Sequence, residues 1–427
     1  METSAASVKS ASASDILNAL KGARDGKTRM ELLADSSLSR KTVSLAVKQL
    51  VDAGVVEVAD STRPGRVGPA AERLRLSGGP VVGGVDLGRR HVTVALGNSA
   101  GSIIETMAPK RLDADLDPRS LAVAAARFRE LIRRARIPAR DVATVGLSIA
   151  APLAHDGRIA SSDYAPGWPI NPLGPLFAKE LRKDAPDLAP VVLPCNDANM
   201  GAIGEVVHGS AQGAETALFL KASSGIGLGI WLAGKLFTGG RGFAGEFGHT
   251  AVSSVAQEFI ANASSRLLSR ERRCLRCGQL TCLENLCSST AVVEQLKETY
   301  PNSYSPETTF ADIVQDAVSD PVRRPLSMLA MDNLARRLGS ALGDLTRIFD
   351  PDVIVIGGFM ATAEPVISGR IVETVVAASL DTGRPEIRYV PRKDIEYTEA
   401  RGALALALER TKLSYDETSR TVVSAVD

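Results

Sequence analysis

The run Val81-Val82-Gly83-Gly84-Val85-Asp86-Leu87-Gly88 constrains this chain most. It carries no polar side chain before Asp86, so it offers no face to water and reads as a buried strand running into a turn. Val92-Thr93-Val94-Ala95-Leu96 follows as its hairpin partner. Further short apolar strands are expected at Val142 to Ile149, Val191 to Leu193, Ala217 to Leu220 and Val353 to Ile356. Helical stretches separate them, the longest near Pro325 to Phe349, and strands alternating with helices make an α/β fold.

The segment before Val81 has a different grammar. Ile16, Leu17, Ala19, Leu20 and Ala23 form one apolar helical face; Met30, Leu32 and Leu33 belong to a second helix. Val43, Ala46, Val47, Leu50 and Val51 stripe a third at helical spacing, with Ser39 placed to cap it. After Gly54, Val55-Val56-Glu57-Val58 and Glu72-Arg73-Leu74-Arg75-Leu76 flank a turn-rich stretch, which reads as a two-stranded wing. With the third helix's stripe turned inward, its other face presents Arg40, Lys41, Ser44 and Lys48, with Ser39 and Thr42 at its start. These are donors for phosphates and base edges in a major groove. Arg63 and Arg66 at the wing tip are expected to reach backbone or minor groove.

This reading divides the 427 residues into a disordered tail at 1–14, a winged helix-turn-helix at 15–78, a larger α/β domain at 79–412 and a C-terminal tail at 413–427. Residues 1–78 hold 12 Lys and Arg against 9 Asp and Glu, whereas the remainder holds 38 against 40, so the basic excess is N-terminal. No apolar run approaches the roughly 20 residues of a membrane helix, and no signal peptide is visible, so a cytoplasmic protein is expected. Cys274, Cys277, Cys282 and Cys287 crowd into one stretch, which in a cytosolic chain suggests metal rather than disulfides.

Four constellations carry the chemistry, in order along the chain. They are Asp86-Leu87-Gly88-Arg89-Arg90-His91, Asn196-Asp197 at a helix start, Gly225-Ile226-Gly227-Leu228-Gly229 continuing to Gly245-Glu246-Phe247-Gly248-His249, and Cys274 to Glu284. With Ile356-Gly357-Gly358 and the ending Ala400-Arg401-Gly402-Ala403, this ordered set resembles the ROK family of repressors and sugar kinases, specifically its winged-helix regulators.

The resemblance implies two actin-like, ribonuclease H-like lobes around a sugar-holding cleft. It places Asp197 at the position of the kinase general base and Asn196, Glu246, His249 and Glu284 among groups that hydrogen-bond sugar hydroxyls. It also implies a structural zinc held by His249, Cys274, Cys277 and Cys282, with Cys287 an alternative ligand. Two residues separate the first two cysteines where the family usually has one, and the segment between His249 and Cys274 is longer than usual. His91, His155, His208 and Cys195 have no partner identifiable in the sequence.

In the kinases the first loop reads Asp-x-Gly-Gly-Thr-Lys, whose small residues let backbone amides approach nucleotide phosphates. Here Arg89 and Arg90 stand in the place of small residues. The expectation is therefore a non-enzymatic, sugar-responsive regulator, a repressor of carbohydrate genes. It would bind an inverted-repeat operator as a homodimer or homotetramer and answer to a sugar or sugar phosphate. The alternative is an ATP-dependent hexose kinase with an appended DNA-binding domain.

Overall fold

The computed structural model describes residues 2–59, 72–113, 115–160, 167–169, 171–251, 273–274, 276–320, 322–379 and 384–426. Chain contacts divide it into one unit of Met1–Ile149, Asn171–Cys195 and Ala403–Asp427, and another of Ala150–Ile170 and Asn196–Gly402.

The first unit opens with α1 (Glu2–Leu20), β1 (Lys27–Thr28), α2 (Arg29–Asp35), α3 (Arg40–Asp52), β2 (Val56–Ala59) and β3 (Arg73–Leu76). The strands form an antiparallel sheet in the order β1-β3-β2. Local chemistry sets both short helices. Thr28 and Glu31 make a reciprocal capping box on α2, and the Ser39 hydroxyl accepts from the Thr42 amide at 3.2 Å to start α3. Val43, Ala46, Val47 and Leu50 turn inward as the spacing predicted, against Ile16, Leu17, Leu20, Leu32, Leu74 and Leu76.

The same unit then builds β4 (Val81–Leu87), β5 (His91–Asn98), β6 (Ile103–Arg111), β7 (Val142–Ile149) and β8 (Val191–Asn196), in the order β6-β5-β4-β7-β8. β4 is buried along its whole length, antiparallel to β5 and parallel to β7. The helices α4 (Arg119–Arg134) and α5 (Leu173–Arg182) belong to it, and Gly83 lies so near Phe128 of α4 that a Cβ would fall 2.3 Å from the ring.

The second unit repeats that plan. After α6 (Asp197–His208) come β9 (Ala217–Ala222), β10 (Ile226–Leu232), β11 (Lys235–Leu236), β12 (Val353–Gly357) and β13 (Glu386–Tyr389), ordered β11-β10-β9-β12-β13. In each sheet a three-stranded antiparallel meander is extended on the side of its first strand by a parallel strand, β7 on β4 and β12 on β9, with β8 and β13 beyond them, so both lobes share one strand order. The long helix Arg324–Phe349 packs with Glu364–Ala378 over the second sheet's core. No helix among the described residues is long and apolar enough to cross a membrane.

Both expected tails are structured. α1 begins at Glu2, and the C-terminus forms a hairpin of β14 (Thr411–Asp416) and β15 (Thr421–Val426). The two ends hold each other. Ser10 Oγ donates to Tyr415 O at 2.8 Å, Ser14 Oγ accepts from Tyr415 N at 3.0 Å, and Asn18 exchanges two bonds with Leu413 at 2.7 and 3.0 Å. The hairpin turn also reaches α3, where Gln49 Nε2 donates to Glu417 Oε1 at 3.0 Å and Arg420 to Asp52 O at 3.0 Å. Leu413 and Tyr415 are buried in the winged-helix core. Ser10 and Ser14 read as disorder in isolation because the backbone edge that satisfies them lies about 400 positions away.

Ending the chain after Arg410 should therefore remove two core side chains from the N-terminal module, a loss of about 3–6 kcal/mol at about 1.5–3 kcal/mol each. Urea unfolding followed by limited proteolysis of residues 1–78 measures it, and an unchanged midpoint would exclude the hairpin from that core.

Candidate functional site

In the second unit the expected groups converge on the first turn of α6. Asn196 caps the helix, its Oδ1 accepting from Ala198 N at 2.9 Å and Asn199 N at 3.2 Å while its amide donates to Ala151 O at 3.2 Å. Asp197 Oδ1 accepts from Ala198 N at 2.9 Å and from Asn196 Nδ2 at 3.2 Å. Its Oδ2 lies 2.9 Å from Lys221 Nζ, which also meets Glu399 Oε1 at 2.8 Å. The sequence reading missed Lys221 and Glu399; no motif flags a lysine inside an apolar strand or an acid near the chain's end.

The glycines of β10 let α6 come this close. A Cβ on Gly229 would fall 2.3 Å from Ala198 O, and one on Gly227 would fall 3.0 Å from the Ala198 methyl. Gly245 sits at φ +93° with its Cβ position 1.8 Å from Leu228 O, so only glycine fits there. Its carbonyl accepts from Leu228 N at 2.9 Å and fixes the loop that presents Glu246. Burial pushes the Glu246 carboxyl up to about 7, against Arg276, with the Asp197 and Glu284 charges adding to the rise. Glu284 Oε2 accepts from Ile226 N at 2.9 Å. Electrostatics thus link Glu246 with Asp197, Glu284 and Arg276, and His249 with Glu284 and Arg276, the last of which the sequence reading did not single out.

His249, Cys274, Cys277 and Cys282 offer ligand atoms that all lie within 4.8 Å of one another. Four ligands around a tetrahedral ion with bonds of about 2.3 Å stand roughly 3.8 Å apart, so the cluster fits a metal with little adjustment. His249 Nδ1 is 3.7 Å from Cys274 Sγ, and the Asn285 amide donates to Cys282 Sγ at 3.4 Å. The Cys274-to-Gln279 turn is closed by Gly278 N to Cys274 O and Cys274 N to Gln279 O, both 2.9 Å. Burial lowers the His249 pKa and raises those of Cys277 and Cys282, where neighbouring thiols add to the effect. A cation among them would supply the charge that thiolates need. Cys287 takes no part: it is buried in the hydrophobic core, its thiol pushed up to about 12 by burial.

In the first unit the loop after β4 is closed on itself. Asp86 is buried, accepting from Ser148 Oγ at 2.6 Å and lying 2.9 Å from His91 Nε2. A Cβ on Gly88 would fall 2.2 Å from the His91 ring. His91 therefore has partners, and so does His155, whose Nε2 is 3.3 Å from Thr238 Oγ1. Arg89 is half-buried, whereas Arg90 is exposed and pairs with Asp115 at 3.0 Å. In the second unit, the amide of Phe359 after Gly357-Gly358 donates to Ser223 Oγ at 3.0 Å.

On the winged helix, Ser39, Arg40, Lys41, Ser44 and Lys48 are exposed and Thr42 is half-buried, so the face opposite the α3 stripe is open. Ser39 and Thr42 bond each other through their hydroxyls at 2.8 Å. Arg63 and Arg66 lie outside the described residues.

The family model described as the ROK family matches residues 82–410. The xylose repressor of Caldicellulosiruptor bescii is 26% identical over 344 residues, 78% of each chain. The glucokinase of Thermotoga maritima is 28% identical over 231 residues, 52% of this chain and 65% of that one. A crystal structure of a ROK family transcriptional regulator, a homologue of the E. coli MLC protein, superposes with a TM-score of 0.69 at 20% identity, covering 94% of this chain and 97% of its own. With the site's motifs in their expected order and the model spanning both mixed sheets, the chain belongs to the ROK family.

Proposed function

We propose that this protein is a DNA-binding transcriptional regulator that answers to a sugar and does not phosphorylate it. The observation that carries the reading is the winged helix at the N-terminus, with a capped third helix whose exposed face is basic and hydroxylic. A module of that shape lays its third helix in a major groove, Arg40 and Lys41 at the helix start meeting phosphates and base edges. Ser39, Thr42, Ser44 and Lys48 continue the same surface, and Arg63 and Arg66 are assigned to the wing. Because one winged helix covers one half-site, a homodimer or homotetramer on an inverted repeat follows.

The site around α6 suits a polyol. Asn196, Asp197, Glu246, His249 and Glu284 supply acceptors and donors at close range, and each buried hydroxyl left unpaired costs about 1–3 kcal/mol. Against kinase chemistry stand three features: Asp86 is engaged by His91 and Ser148, Arg89 and Arg90 replace small residues, and Ser223 takes up the Phe359 amide. A structural zinc on His249, Cys274, Cys277 and Cys282 would brace the segments carrying Glu246 and Glu284.

Replacing Arg40 and Lys41 by Ala should weaken specific DNA binding by about 10- to 100-fold per lost base contact while sparing sugar binding. Fluorescence anisotropy on genome-selected sites tests this, and full affinity in the double variant would move the DNA surface elsewhere.

Calorimetry against monosaccharides and their phosphates, run beside an ATP-turnover assay, tests the sensor. Glu246→Ala should abolish the sugar response and leave DNA affinity intact; turnover of a bound sugar by the wild type would restore the kinase reading.

Elemental analysis of protein purified without added metal should find zinc, lost in Cys277→Ser together with thermal stability. A metal-free wild type that is folded and responsive removes zinc from the account.

A further inference from the structure

Lys221 lies in β9, a strand otherwise made of Ala217, Leu218, Phe219, Leu220 and Ala222, where a charged side chain has no reason to be unless it is used. In register it stands opposite Gly227 on β10 and Gly357 on β12. Neither neighbour has a side chain; the position a Cβ would take lies 3.0 Å from the Ala198 methyl at Gly227 and 2.6 Å from the Phe219 ring at Gly357, so both strands pack closely around this point. The ammonium ends between Asp197 Oδ2 at 2.9 Å and Glu399 Oε1 at 2.8 Å. All three side chains are withdrawn from solvent, at 13% exposure for Lys221, 16% for Asp197 and 4% for Glu399. At that burial a charge is retained only if paired, and one ammonium serves two carboxylates.

Resting on the sugar-binding reading, we infer that Lys221 is the positioning residue that makes Asp197 a fixed acceptor for a ligand hydroxyl. The other oxygen of Asp197 is held by the Ala198 amide and the Asn196 side chain, so Lys221 fixes the remaining one and with it the plane of the carboxylate. A carboxylate oxygen has lone pairs for both an ammonium and a hydroxyl. Glu399, in the first turn of the helix Thr398–Arg410, steadies the ammonium from its far side. Lys221 also offsets a site crowded with acids, since Asp197 and Glu284 both act on Glu246.

A double-mutant cycle read by calorimetry on the full chain, with the monosaccharide that the wild type binds best, tests the inference. Lys221→Met should weaken sugar binding by at least about tenfold, as expected when a charged hydrogen bond is lost. In an Asp197→Ala background the same change should cost less than about twofold, because there is no carboxylate left to position. Lys221→Arg, which reaches both acids, should keep affinity within about threefold. Lys221→Met with Glu399→Leu leaves no orphaned charge at Glu399, and it should show the same weakening in a chain that melts normally. Equal losses in both backgrounds, or full affinity in Lys221→Met, would overturn the role of Lys221 alone. A wild type that binds no monosaccharide or sugar phosphate would overturn the sensor reading on which it rests.

Discussion

How near the first turn of α6 approaches β10 decides the rest of the site. Helix and strand meet with almost nothing between them, since any side chain at Gly229 would collide with the Ala198 carbonyl. That approach sets Asn196 and Asp197 at the sheet's end, within reach of the Lys221 ammonium that rises from the next strand. Gly245 makes the complementary demand from the other side, since its carbonyl accepts from Leu228 N and a Cβ there would collide with the Leu228 oxygen. Backbone packing thus does what longer side chains would do less rigidly: it fixes the distance between Asp197 and Glu246.

The cysteine cluster obeys a related logic. Thr250 O accepts from Leu283 N at 3.1 Å, and Ala251 pairs with Cys282, so the His249 segment and the start of the helix Leu283–Cys287 are already laced together by backbone bonds. Glu284 stands in the first turn of that helix, and its carboxylate accepts from the Ile226 amide. Ligand positions and candidate sugar contacts therefore ride on the same short elements. Any cation that gathers His249, Cys274, Cys277 and Cys282 stiffens the support of Glu246 and Glu284 as well.

What was legible in the sequence was local. The α3 stripe, its Ser39 cap and the buried β4 follow from spacings within a dozen residues, and all three stand where they were read. The His249, Cys274, Cys277 and Cys282 cluster was legible because its residues sit in ordered motifs. Pairings across long separations were not. Leu413 and Tyr415 look like tail residues until β14 meets α1, and Ser10 and Ser14 look like linker until they bond that strand. Lys221 was invisible for the same reason: its acids lie 24 positions upstream and 178 downstream. His91 paired with Asp86 only five residues away, yet the loop's fold back across Gly88 was hidden by the absence of a periodic signal. The duplication of the sheet plan left no recognisable repeat either, because strand order is set by pairing and not by composition.

The charge balance of the site narrows what it will accept. Asp197, Glu246, Glu284 and Glu399 are set against Lys221 and Arg276; burial lifts Glu246 to about 7, Arg276 opposes the rise, and the Asp197 and Glu284 charges add to it. A further anion placed among them would meet repulsion with little water to screen it. On the proposed reading, a neutral molecule carrying several hydroxyls would meet the opposite situation, with Asp197 oriented by the Ala198 amide and Lys221, and Glu284 by the Ile226 amide. On the same reading, a phosphorylated ligand would direct its phosphate away from Asp197 and Glu246, toward Arg276 or solvent, and the acids would meet its hydroxyl end.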